Sequence, residues 1–329
     1  MAKKTSTAPI YGDQNVGNLD DDINGTNQSD YIFAYLGDDD VRGGNGNDKI
    51  EGGYGDDKLE GNNGKDTLYG DNFTAYTATV VDPLTESYDD ELDGGNGKDE
   101  LYGMEGSDWL EGGNGKDKLY GDDGDDILYG GKGKDILDGG EGSDTVSYED
   151  AANKVSVNLA TGTVKGNSEG KDTLIDIENV IGSSAADTLL GSDDANVLDG
   201  NDGNDNISGG LGDDTLIGGD DADTLTGGDG MDIFVFDSLD AADTVTDFAS
   251  GADMLSFDDS TFTSFGGLTF GAGNFVDGTT ALDADDFLLY DSSSGALYYD
   301  ADGNGAGAAV VVVQMGAGTA VAYTDIVIS

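Results

Sequence analysis

The chain has 329 residues, with 56 Gly, 69 Asp and Glu against 14 Lys and Arg, a net charge of −55, and neither His nor Cys. That composition excludes disulfides, thiolate metal sites, thiol catalysis and every imidazole-based triad or metal site. Nor does a chain this acidic track a phosphate backbone, so nucleic acid is not an expected partner.

Self-repulsion at this charge opposes a compact state unless a cation neutralises it. The chain's own bases do not suffice. All lie at or before Lys171, and residues 172–329 carry 31 acids and no base. The remaining candidate is a hard, oxygen-seeking divalent ion, calcium or magnesium.

Residues 1–15, MAKKTSTAPIYGDQN, read as a flexible tail. Two lysines with no apolar core behind them do not make an ordinary signal peptide. No apolar run is long enough for a membrane-spanning helix. From Val16 a nine-residue period sets in, G-G-x-G-x-D-x-U-x with U a large apolar residue. It holds over 16–69, 85–147 and 182–235, as 6, 7 and 6 windows. Position six is Asp in 18 of these 19 windows, the exception being Asn196, and position eight is always Ile, Leu, Val or Phe. A disordered Gly/Asp tract does not keep an apolar residue in phase with an Asp.

Between the blocks the phase breaks. Residues 70–84 read as an insertion loop, and 148–181, with VSVNL and TLIDIENVI, as short strands between blocks. Residues 236–329 change composition, with strand-like LYYD and VVVVQM, and read as a β-rich C-terminal cap.

Each window divides into a six-residue turn and a three-residue strand. Glycine allows the tight reversal, and alternation sends U inward. Two windows make one coil of 18 residues, and coils stack as parallel strands about 4.8 Å apart. The core then holds Leu101, Leu119 and Leu137 from one side and Leu92, Leu110 and Leu128 from the other. Stacking also files the turn aspartates into two rows, Asp99, Asp117 and Asp135 in one, Asp108, Asp126 and Asp144 in the other. Carboxylates at that spacing repel, and a Ca²⁺ between successive turns, bound by carboxylate and backbone carbonyl oxygens, removes the conflict. Mg²⁺ suits this less, because it demands octahedral geometry and keeps its waters.

The candidate metal residues are therefore Asp39, Asp48, Asp57 and Asp66; Asp99, Asp108, Asp117, Asp126, Asp135 and Asp144; and Asp205, Asp214, Asp223 and Asp232. With them go the turn glycines Gly44, Gly46, Gly53, Gly55, Gly95, Gly97, Gly113, Gly115, Gly131, Gly133, Gly140, Gly142, Gly210 and Gly212. The weakest positions are Asp21, Asp30, Asp187 and Asn196, in windows that depart from the pattern.

This nonapeptide resembles the RTX (repeats-in-toxin, hemolysin-type calcium-binding) family. The segment from Ser147, SYEDAANKVSVNLATGTVKG, is similar to one that interrupts the repeats in that family. LYDSSSGALYYDADGNGAG, from Leu289, resembles the C-terminal region of serralysin-type secreted proteins, whose protease half has no counterpart here. The resemblance implies an all-β fold, a right-handed parallel β-roll (β-solenoid) binding about a dozen Ca²⁺. It also implies export by a type I ABC secretion system reading a C-terminal signal, here ending TDIVIS, and hence an extracellular location.

The expected role is structural or adhesive, toward a polysaccharide or cell surface, with no catalysis. The alternatives are a secretion and chaperone module from a larger RTX enzyme, which a chain starting at Met1 does not suggest, and an S-layer-like structural protein. An ice-binding roll is disfavoured by the mixed Lys, Glu, Tyr and Thr at outward positions. Two further motifs give way to simpler readings. Asp300-Ala-Asp302-Gly-Asn304-Gly305 opens like an EF-hand loop, but its twelfth position is Val311 in place of the bidentate Glu. Gly166-Asn-Ser168-Glu-Gly170 matches G-x-S-x-G but has no His base. Tyr102 and Tyr120, one coil apart, and Trp109 are expected to face outward.

Overall fold

The computed structural model describes residues 10–11, 20–71, 88–166 and 170–329. Residues 1–9 and 12–15 of the tail, 72–84 of the insertion loop and the Ser168 motif lie outside them. Within the stretch read as a flexible tail, Ile10–Tyr11 is a strand that pairs parallel on Tyr31–Leu36. Among the described residues the only helices are three short 3-10 turns, and everything else regular is strand. No helix among them is long and apolar enough to cross a membrane.

The chain divides into two compact units: residues 1–148 with 162–177, and residues 149–161 with 178–329. Each is a parallel β-roll.

In the first unit, one sheet runs through Tyr31–Leu36, Lys49–Tyr54, Thr67–Asp71, Glu100–Glu105, Lys118–Asp123, Ile136–Glu141 and Thr173–Ile175. The opposite sheet runs through Asp22–Asn24, Asp40–Gly46, Lys58–Gly64, Glu91–Asp93, Trp109–Glu111, Ile127–Tyr129 and Thr145–Ser147. Register follows the sequence period: Leu101 pairs with Leu119, and Leu119 with Leu137. Position eight points inward at every rung, and Leu92, Leu101, Leu110, Leu119, Leu128 and Leu137 are all 0% exposed. Each such leucine contributes roughly 1.5–3 kcal/mol of burial.

The phase breaks do not interrupt stacking. The strand before the insertion, Thr67–Asp71, pairs directly with Glu100–Glu105. Residues 149–161 leave for the second unit, yet Thr173–Ile175 still pairs in register on Ile136–Glu141.

In the second unit the roll begins with Val155–Asn158 on Thr188–Leu190, and with Asn179–Ile181 on Val197–Asp199. It extends beyond the last nonapeptide. Asp243–Val245 and Met254–Phe257 add a further coil, and Val310–Gln314 and Ile326–Ile328 stack on those in turn. The C-terminal region is thus partly roll and partly cap. The cap is an antiparallel meander of Leu288–Asp291, Ala296–Tyr299 and Val310–Gln314. Phe257, Phe262 and Tyr299 close it edge to face, with ring centroids 5.0–5.1 Å apart. In the Asp300 loop the acids serve the loop itself: Asp300 accepts the Asp302 amide and Asp302 that of Gly307.

Candidate metal centre

The position-six Asp residues from Asp39 to Asp144 and from Asp205 to Asp232 are buried, and in the open turns each uses its two oxygens differently. One oxygen, Oδ1, accepts the backbone N–H of the Asp one coil earlier. Along one row these bonds run from Asp39 to Asp57, Asp57 to Asp90, Asp90 to Asp108, and Asp108 to Asp126, at 2.5–2.8 Å. Along the other they run from Asp48 to Asp66, Asp66 to Asp99, Asp99 to Asp117, and Asp117 to Asp135, at 2.6–2.9 Å. Asp205 to Asp223 and Asp214 to Asp232 repeat this in the second unit.

The second oxygen, Oδ2, has no hydrogen-bond partner at Asp39, Asp48, Asp57, Asp66, Asp90, Asp99, Asp108, Asp117, Asp126, Asp135, Asp205, Asp214, Asp223 or Asp232. Leaving one buried acceptor unsatisfied costs about 1–3 kcal/mol, more when it is charged, and here the pattern repeats fourteen times. Among the described residues no cation pairs with it: the ion pairs there are made elsewhere, such as Arg42 with Asp22, Asp40 and Glu60.

The orphaned oxygen faces a cradle made by the first glycine of its own turn. A Cβ placed on Gly43 would come within 2.6 Å of Asp48 Oδ2 and 3.0 Å of the Gly61 carbonyl oxygen of the next coil. One on Gly112 would meet the Gly130 carbonyl at 2.8 Å and Asp117 Oδ2 at 3.2 Å. A free carboxylate oxygen and a carbonyl oxygen from the next coil thus converge where no side chain stands. No three Asp or Glu side chains converge on one point among the described residues. The donor set is mixed carboxylate and carbonyl, all oxygen, which suits calcium better than a transition metal.

Position two sets the turn. It lies in the left-handed region at Gly44, Gly53, Gly95, Gly113, Gly131, Gly140 and Gly210, and also at Tyr35, Asn62, Met104, Asp122 and Asn201, which are not glycine. Holding non-glycine residues there costs about 1–2 kcal/mol each, so the geometry is imposed by stacking. Position four is left-handed at Gly46, Gly55, Gly142 and Gly212, whereas Gly97, Gly115 and Gly133 lie outside that region. There the ladder continues into the turn: Gly97 donates to Asn114 O, Gly115 to Lys132 O, and Gly133 bridges to Gly170. Beside them, at position three, the amides of Asn27, Asn45, Asn63, Asn96 and Asn114 form a side-chain ladder at 2.6–3.4 Å.

The acids respond to their burial. Asp39, Asp99, Asp126, Asp135 and Asp205 are pushed up to about 7, Asp66, Asp117 and Asp214 to about 6, and Asp108 to about 8. Desolvation is the first cause in each, and the amide bond each accepts offsets part of it.

Three turns with the same spacing are built differently. Asp187 accepts the Ser183 amide at 2.5 Å and its hydroxyl at 2.9 Å. The Asn196 carbonyl oxygen accepts the Ser192 amide and hydroxyl, and its NH₂ donates to Glu178 O. Asp30 accepts the Thr26 amide and hydroxyl. These turns are closed by the hydroxyl residue at position two. Three of the four positions marked weakest from sequence are these.

Several contributors were not evident from the sequence. Asp90, in a window with no glycine, carries the same orphaned oxygen. The first glycines form the cradle, a role beyond the turn itself. Asp243 and Asp253 extend the rows, accepting the Asp223 and Asp232 amides across 20 and 21 residues. The shifted spacing hid them.

Fold and site together define a parallel β-roll with rows of buried carboxylates between glycine turns. The model of the RTX calcium-binding nonapeptide repeat matches residues 16–50, 42–74, 85–119, 111–146, 181–216 and 208–238, more than half of the chain. The chain belongs to this RTX family. No curated protein matches it. Among solved structures it is similar to the extracellular lipase LipA from Serratia marcescens, at 18% identity and a TM-score of 0.24, over 80% of this chain and 45% of that one. The chain thus spans less than half the length of that lipase.

Proposed function

We propose that this is a secreted calcium-binding RTX protein that stays expanded where calcium is scarce and folds on binding about a dozen Ca²⁺ outside the cell. The observation carrying this reading is the file of buried Asp Oδ2 atoms that no protein group satisfies. The residues that would hold the ions are the Asp of each open turn and the carbonyls of the adjoining turns. Bound calcium supplies positive charge and a multi-oxygen coordination point. An ion that binds only the folded state stabilises it by RT ln(1 + [L]/Kd) per site, so even about 1 kcal/mol per site adds up to a domain's stability.

The same property serves export. A chain at −55 with no calcium is extended and fit to be threaded through a type I ABC transporter. The role is structural or adhesive and not catalytic. Outward aromatics support a surface-interaction role: Tyr69, Tyr102 and Tyr120 stack in file at 4.8 Å, and Trp109, 42% exposed, stacks on Tyr129 at 4.7 Å. Such a file suits the faces of sugar rings in a polysaccharide.

Far-UV circular dichroism across a CaCl₂ titration from zero to about 10 mM, with MgCl₂ alongside, tests the folding switch. The expected result is a cooperative coil-to-β transition with calcium alone. A chain fully folded in EDTA overturns it.

A further inference from the structure

The turn that begins at Gly70 does not close within six residues. A Cβ on Gly70 would run into Asp90 Oδ2 and come within 2.6 Å of the Gly103 carbonyl, the same cradle found elsewhere. Asp90 takes the position-six role: its Oδ1 accepts the Asp57 amide and its own amide donates to Asp108 Oδ1. Asp89 takes position five, donating to Asp56 and accepting from Ser107. Gly70 and Asp71 therefore open a turn that Tyr88, Asp89 and Asp90 complete, and the phase-breaking insertion enters between position two and position four.

Position two of this turn is Asp71, and it is unlike its neighbours. Along this row Tyr35, Gly53, Met104, Asp122 and Gly140 are all left-handed at this position, with φ from 74° to 132°. Asp71 alone of the described residues there is not, and its side chain is buried. It is 0% exposed, and neither carboxylate oxygen makes a well-formed hydrogen bond, although the Glu105 amide acts weakly on it and the Glu105 and Asp56 carboxylates add like charge. Every other turn of the row that is open leaves one oxygen orphaned, and this one leaves three: both of Asp71 and Oδ2 of Asp90. Asp71 lies close enough to Asp57, Asp90 and Asp108 for its charge to act on all three. Burial pushes Asp71 itself to about 8 and Asp90 to about 10. None of the ion pairs reaches this group.

We propose that Asp71 and Asp90 together form a dedicated two-carboxylate site for a hard divalent cation, Ca²⁺, at the base of the insertion, and that it fills before the one-carboxylate turns. Calcium affinity rises with the number of charged ligands. A site that binds first also fixes the junction across which coils 33 residues apart must stack, so it nucleates the roll of the first unit. This rests on the calcium reading above.

The test follows Tb³⁺ luminescence and calcium calorimetry on the full chain and on Asp71→Asn, Asp71→Gly and Asp123→Asn, the last removing one exposed carboxylate from the same edge. The expected result is an early phase of one ion in the parent chain. Asp71→Asn and Asp71→Gly weaken that phase about tenfold or more and leave the later phases in place, while Asp123→Asn keeps it. Asp71→Gly restores the ordinary position-two residue, so its fold survives if the turn is otherwise normal. Early binding unchanged in both Asp71 variants overturns the proposal, as does folding of Asp71→Asn at lower calcium than the parent, which would mark Asp71 as a buried neutral acid. A parent chain that takes up no calcium at all overturns the broader reading as well, and is told apart by that absence.

Discussion

The turns at the ends of the aspartate rows and those in their interior share a nine-residue spacing but differ in who satisfies the carboxylate. At the ends the protein does. Thr26 closes on Asp30, Ser183 on Asp187 and Ser192 on Asn196, and at the far end of one row the Ala249 amide closes on Asp253. In the interior no group among the described residues does, from Asp39 through Asp135 and from Asp205 to Asp232. The difference follows from stacking. On the calcium reading, an interior turn has a neighbour on each side to contribute oxygens to an ion, whereas an end turn lacks one and closes on a hydroxyl at position two. On the proposed reading, the rolls are bounded by turns that the protein closes itself and filled with turns whose free carboxylate oxygen awaits calcium.

The comparison breaks most visibly with pH. Burial raises the interior carboxyls in the folded chain without metal, Asp66 and Asp117 to about 6, Asp99 and Asp126 to about 7 and Asp108 to about 8, against a usual value near 4. The folded state therefore holds more protons than the unfolded one between these values, and stability falls as pH rises through this window. Protons stand in for calcium on the acid side. In EDTA the chain is expected to gain β-structure as pH is lowered from 8 to about 4, seen by circular dichroism. Calcium binding near pH 6–7 is expected to release protons, measured by calorimetry in buffers of different ionisation enthalpy. A metal-free chain whose order rises with pH would contradict the orphaned-carboxylate account.

A double substitution, Ser192→Gly with Asn196→Asp, sharpens the contrast by turning an end turn into an interior one. It removes the hydroxyl closure and restores the anion, so it is expected to make folding more calcium-dependent, with a calcium midpoint raised about two- to tenfold for a loss of roughly 0.5–1.5 kcal/mol. Ser183→Ala alone should cost about 1 kcal/mol in chemical denaturation without changing calcium stoichiometry. A stoichiometry that drops in Ser183→Ala would show that the closed turn holds an ion after all.

The smallest effect concerns strain in the interior. Met104 sits at φ 93°, a conformation glycine adopts freely. Met104→Gly is expected to favour folding by up to about 1 kcal/mol, because released strain exceeds the added entropy of the unfolded chain. A slightly lower calcium midpoint would report it. A raised midpoint would mean that stacking of the Met104 side chain outweighs its backbone strain.

Much of this molecule was legible before any coordinates. The phase of Leu101, Leu119 and Leu137 with Asp99, Asp117 and Asp135 dictates coil, register, core and rows at once, because an 18-residue repeat stacks each residue on its own equivalent. Position-two Ser and Thr were visible as departures, yet their reach back to the carboxylate was not, since it depends on the turn leaving the left-handed region. The sequence also shows a phase break after Tyr69 but cannot show that Gly70 and Asp90 belong to one turn. Spacing is one-dimensional, and only stacking brings an Asp 33 residues away under the preceding rung. For the same reason Asp243 and Asp253, displaced by two and three residues from the period, joined the rows only once the strands around them had paired. Local repetition thus fixed what each turn is made of, and the tertiary stack decided which oxygens the protein satisfies and which it leaves for an ion.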